Sequence, residues 1–78
     1  MRIIKFYSDT CGPCKVLESN LKKTDIKYDE VNIEDDDTTL VDKYKIRAVP
    51  TLIKENEGEE ISRHIGVMTV DELKEWCK

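Results

Sequence analysis

Ile3-Ile4-Lys5-Phe6-Tyr7-Ser8-Asp9-Thr10-Cys11-Gly12-Pro13-Cys14 is the stretch whose reading decides the fold. Residues 2–7 read as a buried strand, because the run is apolar and only briefly interrupted by charge. Residues 12–23 read as a helix, with Cys14, Leu17 and Leu21 at i, i+3 and i+7 on one apolar face. Pro13 suits the first helical turn, where backbone amides have no intrahelical acceptor. The two cysteines therefore open a helix directly after a strand. A lone C-x-x-C is ambiguous, since it is also half of many zinc sites. Its position at a strand-to-helix turn narrows the choice.

Outward from this stretch, Ile26-Lys27-Tyr28-Asp29-Glu30-Val31-Asn32-Ile33 alternates apolar and polar residues and predicts a second strand. The acidic run Glu34-Asp35-Asp36-Asp37 reads either as a metal site or as a helix N-cap and first turn. Capping logic favours the helix, running to about Lys45 with Leu40, Val41 and Tyr44 inward. Val49-Pro50-Thr51-Leu52-Ile53 reads as a loop leading into a strand. Glu57-Gly58 marks a turn, and Glu60–Ile65 the returning strand of a hairpin. Thr69-Val70-Asp71-Glu72 has the spacing of a capping box before a last helix, with Val70, Leu73 and Trp76 or Cys77 inward. The expected order is βαβαββα. Its first crossover joins two parallel strands through a helix, which requires a sheet with helices on its faces. Cys11 falls at the carboxyl end of the first strand, the edge where open α/β sheets place their chemistry.

The chain has 78 residues, enough for one small domain over 1–78. At that size about 60% of the unfolded surface is buried, so the core is lean. Hydrophobic and charged residues each make up 38%, and the formal net charge is −4 with both signs interleaved. No basic patch stands out, and there are one Trp, three Tyr and one Phe, which argues against nucleic-acid binding. The opening residues resemble neither a signal peptide nor a membrane span, so none is expected. Three cysteines without such a signal fit a reducing compartment, where a disulfide is transient or catalytic; the expected location is cytoplasmic. No membrane association is expected, and the chain reads as a monomer.

A thiolate attacks disulfides and a thiol does not. A free cysteine titrates near about 8.5, and a helix N-terminus or a C-x-x-C partner lowers that by one to several units. Cys11 is placed to feel both effects, while Cys14 lies one turn further in and is shielded. Cys11 then acts as nucleophile, and Cys14 resolves the mixed disulfide. The plainer alternative is a pair of inert buried cysteines.

Cys11-Gly12-Pro13-Cys14-Lys15 resembles the redox motif of the thioredoxin family. Tyr44-Lys45-Ile46-Arg47-Ala48-Val49-Pro50-Thr51-Leu52 is similar to the family's cis-proline segment. Val31-Asn32-Ile33-Glu34 and Gly66 also fall where thioredoxins place comparable residues. The resemblance covers nearly the whole chain. It implies the thioredoxin fold, a four-stranded mixed sheet flanked by three helices. It implies a protein-disulfide reductase, with Cys11 and Cys14 catalytic, Gly12 and Pro13 in the active-site loop, and no cofactor or metal. It further implies a cis Val49–Pro50 bond beside the cysteines, with Val49 pairing to the substrate backbone. Ala48-Val49-Pro50 and Ile65-Gly66-Val67 become a docking surface for protein disulfides, with a flavoprotein thioredoxin reductase as electron donor. Without the resemblance, Pro50 reads as an ordinary trans turn and Gly66 as the turn before a helix.

Four departures from the family stand out. Classical thioredoxins begin with an extra strand and helix, whereas the sequence here starts directly at the strand before the cysteines, at the size expected of a glutaredoxin or a minimal thioredoxin domain. Thr10 replaces the tryptophan that usually precedes the first cysteine, which removes apolar area from the substrate-binding rim. Lys5 replaces a buried acid that helps move the second cysteine's proton. Lys5 either lowers a thiol pKa electrostatically or extends to solvent over a buried stem; the cost of an unpaired buried ammonium favours solvent. Ile65-Gly66-Val67-Met68-Thr69 stands where glutaredoxins hold glutathione with a Gly-Gly and acidic pattern, so a glutathione-linked enzyme is the second choice. A non-catalytic binding module is the third. His64 and Cys77 with the cysteine pair make a four-ligand zinc set on paper, but their spacing argues against it. Cys77 reads as a small apolar residue of the last helix, and Trp76 as core or a cap over it.

Overall fold

Side chains alternate across a strand, and in β1 (Arg2–Tyr7) both faces are buried. The computed structural model describes residues 1–35 and 39–77. After β1 come α1 (Gly12–Lys22), β2 (Asp29–Asn32), α2 (Thr39–Tyr44), β3 (Thr51–Asn56), β4 (Glu59–Ile65) and α3 (Val70–Trp76). The strands form one sheet in the order β2-β1-β3-β4. β1 runs parallel to β2 and antiparallel to β3, and β3 pairs antiparallel with β4. This is the expected βαβαββα mixed sheet with three helices.

Each face of the sheet carries its own core. Ile3 and Leu52 pack with Leu17 and Leu21 of α1, Met68, and Leu73 of α3. Ile4, Phe6 and Ile53 pack with Tyr44 of α2, flanked by Leu40, Val41 and Ile46. Each fully buried Leu, Ile or Phe contributes about 2 kcal/mol of transfer free energy, so these few side chains carry the fold. Asn20 of α1 donates its side-chain amide to the Met68 carbonyl at 2.9 Å, tying α1 to the approach of α3. α3 starts with a complete capping box: Thr69 Oγ1 accepts the Glu72 amide at 3.2 Å, and Glu72 Oε1 accepts the Thr69 amide at 3.1 Å.

Two expectations need correction. The second strand covers only Asp29–Asn32, not 26–33. The Thr24 hydroxyl donates to the Leu21 carbonyl and accepts the Ile26 amide. That local side-chain bonding holds a turn where the alternation predicted strand, and Ile26 and Tyr28 still pack against the core. The acidic run does not open α2 at its first two residues. Asn32 Oδ1 accepts the Glu34 amide at 2.9 Å, and the Asn32 carbonyl accepts the Asp35 amide at 3.1 Å. Glu34 and Asp35 therefore belong to a turn organised by Asn32. Asp36 and Asp37 lie outside the described residues. At its other end α2 stops at Lys45, whose φ is 52°, with the Ile46 amide reaching back to the Val41 carbonyl.

Asn56 pairs with Glu59 across the β3–β4 hairpin, and its two turn residues, Glu57 (φ 53°) and Gly58 (φ 83°), are both left-handed. That is the backbone of a type I′ turn, which matches strand twist. Gly58→Ala has room for its Cβ, so its cost is conformational. We expect a loss of about 1 kcal/mol and about 5 °C in Tm by thermal unfolding. An unchanged Tm contradicts the turn assignment.

Cys77 closes α3 at the end of the sheet where β1 begins, lining a cleft with Met1, Ile3 and Ile26. Burial pushes its thiol up, against a smaller opposing pull from Lys54. A thiol held protonated reacts slowly. With the other two cysteines bridged, Cys77 is the free thiol. It should react with an aromatic disulfide reagent at pH 7 at least about tenfold more slowly in the native protein than in denaturant. Equal rates contradict its burial.

Candidate active site

Three segments meet at the sheet edge where β1 ends. The first is the β1–α1 turn, closed by the Cys11 amide donating to the Ser8 carbonyl at 3.3 Å. The second is the chain leading into β3: Thr51 pairs with Phe6, so Pro50 arrives beside the end of β1. The third is the end of β4, where Ile65 pairs with Thr51 and the Gly66 amide donates to the Pro50 carbonyl at 2.9 Å. Gly66 has a φ of 102°, a conformation that favours glycine. The register thus gathers Cys11, Pro50 and Gly66 along one edge.

Cys11 is the N-cap of α1, in extended conformation. Its Sγ accepts the Cys14 backbone amide at 3.1 Å. Sulfur occupies the place where a Ser or Asp oxygen usually satisfies one of the orphan amides of a helix start. The same amides and the helix dipole favour negative charge on that sulfur. Cys11 and Cys14 are joined as a disulfide with Cα atoms 5.2 Å apart. Cys11 is half-exposed and Cys14 buried, because Cys14 shares the inward face of α1 with Leu17 and Leu21. Gly12 and Pro13 are exposed on the first turn. Opening the disulfide leaves one accessible sulfur at a helix N-terminus with a second, shielded sulfur behind it.

Around the pair, Thr10 is exposed and its hydroxyl donates to Glu34 Oε1 at 3.4 Å. The Val49–Pro50 peptide is cis. Pro50 is buried, Val49 half-buried and Ala48 exposed, and the Thr51 hydroxyl anchors the loop through the Ala48 carbonyl at 2.7 Å. Ile65 and Val67 are exposed apolar residues on either side of Gly66, and Val16 is exposed on α1. His64 stands on β4 opposite Leu52, in a groove with Met68 and Trp76. Cys77 sits at the opposite end of the sheet. Among the described residues, no three His, Cys, Asp or Glu side chains are grouped to hold a metal.

Lys5 does not extend to solvent. Its side chain is 1% exposed, with Nζ 2.9 Å from Glu30 Oε1 and 3.8 Å from Glu18 Oε2. The ammonium also lies 5.0 Å from the Tyr7 ring centroid and 5.4 Å from that of Tyr28. The solvent expectation rested on the cost of an unpaired buried charge. Here two carboxylates and two ring faces offset that cost. Lys22, and then Lys5, holds the Glu18 carboxyl below its ordinary value, and burial followed by Glu30 raises the Tyr7 and Tyr28 hydroxyls. The sequence did carry a signal, since period two puts Lys5 on the same buried face as Ile3. Glu30, Glu18 and Glu34 were missed as partners because their pairing depends on long-range register.

A family model described as Thioredoxin matches residues 1–78. The mitochondrial thioredoxin of Bos taurus is 32% identical over 82 residues, covering 97% of this chain and 49% of that protein. The chain thus spans about half the length of the mitochondrial relatives it matches. The thioredoxin of Mycoplasmoides gallisepticum is 33% identical over 81 residues, covering 97% of this chain and 80% of that protein. Among solved structures, a mutant thioredoxin from Halobacterium salinarum superposes with a TM-score of 0.81 at 31% identity, covering 95% of this chain and 68% of that one. A family match along the full length, on a chain whose cysteine pair caps a helix beside a cis-proline loop, places this protein in the thioredoxin family.

Proposed function

We propose that this chain is a thiol–disulfide oxidoreductase that reduces protein disulfides. The observation that carries the reading is the asymmetry of the pair: an accessible Cys11 sulfur capping α1 and a buried Cys14 behind it. In the reduced form, the Cys11 thiolate attacks one sulfur of a substrate disulfide. A mixed disulfide forms and the substrate's other sulfur leaves as a thiolate. Cys14, having lost its proton, attacks Cys11 Sγ, and the first substrate sulfur departs. Two electrons pass to the substrate, its sulfurs take up two protons, and the Cys11–Cys14 disulfide remains.

The rim supports a protein substrate. Thr10, Val49, cis-Pro50 and Gly66 surround the pair along one sheet edge, with Ile65 and Val67 adding exposed apolar area. Val49 offers the backbone to which an extended substrate segment pairs. Gly12 and Pro13 keep the first turn open to that segment. A flavoprotein thioredoxin reductase regenerates the dithiol, and the reducing cytoplasm is the compartment where the cycle turns over.

Cys14→Ser removes the resolving thiol and leaves the Cys11 cap in place. Incubated with a disulfide-bearing protein such as insulin, it should accumulate a mixed disulfide through Cys11, seen by non-reducing electrophoresis and mass spectrometry. The unmodified chain should turn over insulin with NADPH and thioredoxin reductase, and much more slowly with glutathione. No trapped adduct and no turnover with either donor contradict the proposal; turnover with glutathione alone overturns the assignment of the donor.

A further inference from the structure

The charge cluster under α1 is organised with the cation inside. Lys5 is 1% exposed, whereas the Glu30 and Glu18 side chains are 43% and 39% exposed, and Lys22, which pairs with Glu18 at 3.1 Å, is 67% exposed. Water screens the outer three charges and leaves the ammonium to set the field on the interior side. Cys14 lies on the same side of the sheet: Ile3, on the Lys5 face of β1, packs against Leu17 and Leu21, which share the inward face of α1 with Cys14. Glu18 is four residues beyond Cys14, one helical turn or about 6 Å along the axis of α1, and Lys5 Nζ is 3.8 Å from Glu18. β1 supplies Lys5 and Tyr7, β2 supplies Glu30, the segment before β2 supplies Tyr28, and α1 supplies Glu18 with Lys22 behind it. β3 adds Leu52 and, further along the same face, Lys54, whose ammonium lies over the Trp76 ring; β4 adds His64 opposite Leu52, and α3 adds Leu73.

We propose that Lys5 is a positioning residue for the resolving step: its enclosed ammonium, oriented by Glu30 and Glu18, stabilises negative charge on the Cys14 sulfur. This rests on the Cys11/Cys14 cycle proposed above. When Cys14 attacks Cys11 Sγ, its proton leaves to solvent, the bond between Cys11 and the substrate sulfur breaks, and that sulfur takes up a proton. The step is neutral in protons overall, and Lys5 exchanges none. Its contribution is electrostatic, raising the fraction of Cys14 present as thiolate. Glu30 opposes it by partial neutralisation from the water side, so the two residues act with opposite sign.

The test follows the Cβ carbon chemical shift of Cys14 against pH in the reduced, full-length protein, unmodified and as Lys5→Met and Glu30→Gln. Removing the ammonium should move the Cys14 midpoint up by about half to one pH unit, a three- to tenfold loss of thiolate. Glu30→Gln should move it down. The reduction potentials should follow, more negative in Lys5→Met and less negative in Glu30→Gln, because a stabilised thiolate favours the reduced form. Midpoints that stay put, or that move in the same direction in both variants, overturn the proposal. If Lys5→Met fails to fold by circular dichroism, Glu30→Gln decides alone, since its carboxylate is at the surface: an unmoved or raised midpoint refutes the inference. The titration reads charge on Cys14 whether or not any protein disulfide is reduced, so failure of the reductase reading registers separately in the insulin assay.

Discussion

The hydrogen bond from the Cys14 amide to the Cys11 sulfur is the interaction on which the rest depends. A helix start needs an acceptor for its free amides. Here the acceptor is the sulfur we propose as the nucleophile, so capping the helix and favouring negative charge on that sulfur are the same act. The parallel β1–β2 pair, bridged by α1, brings that helix start to the carboxyl edge of the sheet. The antiparallel β1–β3 and β3–β4 registers bring Pro50 and Gly66 to the same edge. Secondary structure, topology and site thus share one geometric cause.

Burial of Lys5 shows how a lean core tolerates a charge. Leu17, Leu21, Leu52 and Leu73, the core on the same side of the sheet, are fully buried. An isolated ammonium there would cost several kcal/mol. The fold avoids that cost by holding Glu30 directly beside it in the parallel β1–β2 register and Glu18 across from it on α1. Both carboxylates keep contact with water, so only one charge is removed from solvent. A cation beneath a thiol also differs in kind from an acid: the acid exchanges a proton, while the cation acts through its field alone.

Local features of the chain were legible in its sequence. The strand at residues 2–7, the inward face of α1, the Glu57-Gly58 turn and the Thr69–Glu72 capping box each depend on residues a few positions apart. The cysteine pair and the Pro50 segment were equally plain, since both are contiguous motifs. Where the reading missed, a competing interaction decided. Thr24 and Asn32 bond nearby backbone with their side chains, which shortened β2 and kept Glu34 and Asp35 out of α2. Lys5 and Glu30 lie far apart in the chain and meet only through strand register, which one-dimensional periodicity does not contain.

The most direct test of the central claim, that Cys11 and Cys14 form a reversible pair poised to reduce other disulfides, is its equilibrium reduction potential. Titration against dithiothreitol buffers with thiol trapping measures it. The account predicts a value more negative than about −230 mV, on the reducing side of glutaredoxins. A value above about −180 mV, in the range of disulfide isomerases, or a pair that does not exchange at all, contradicts it.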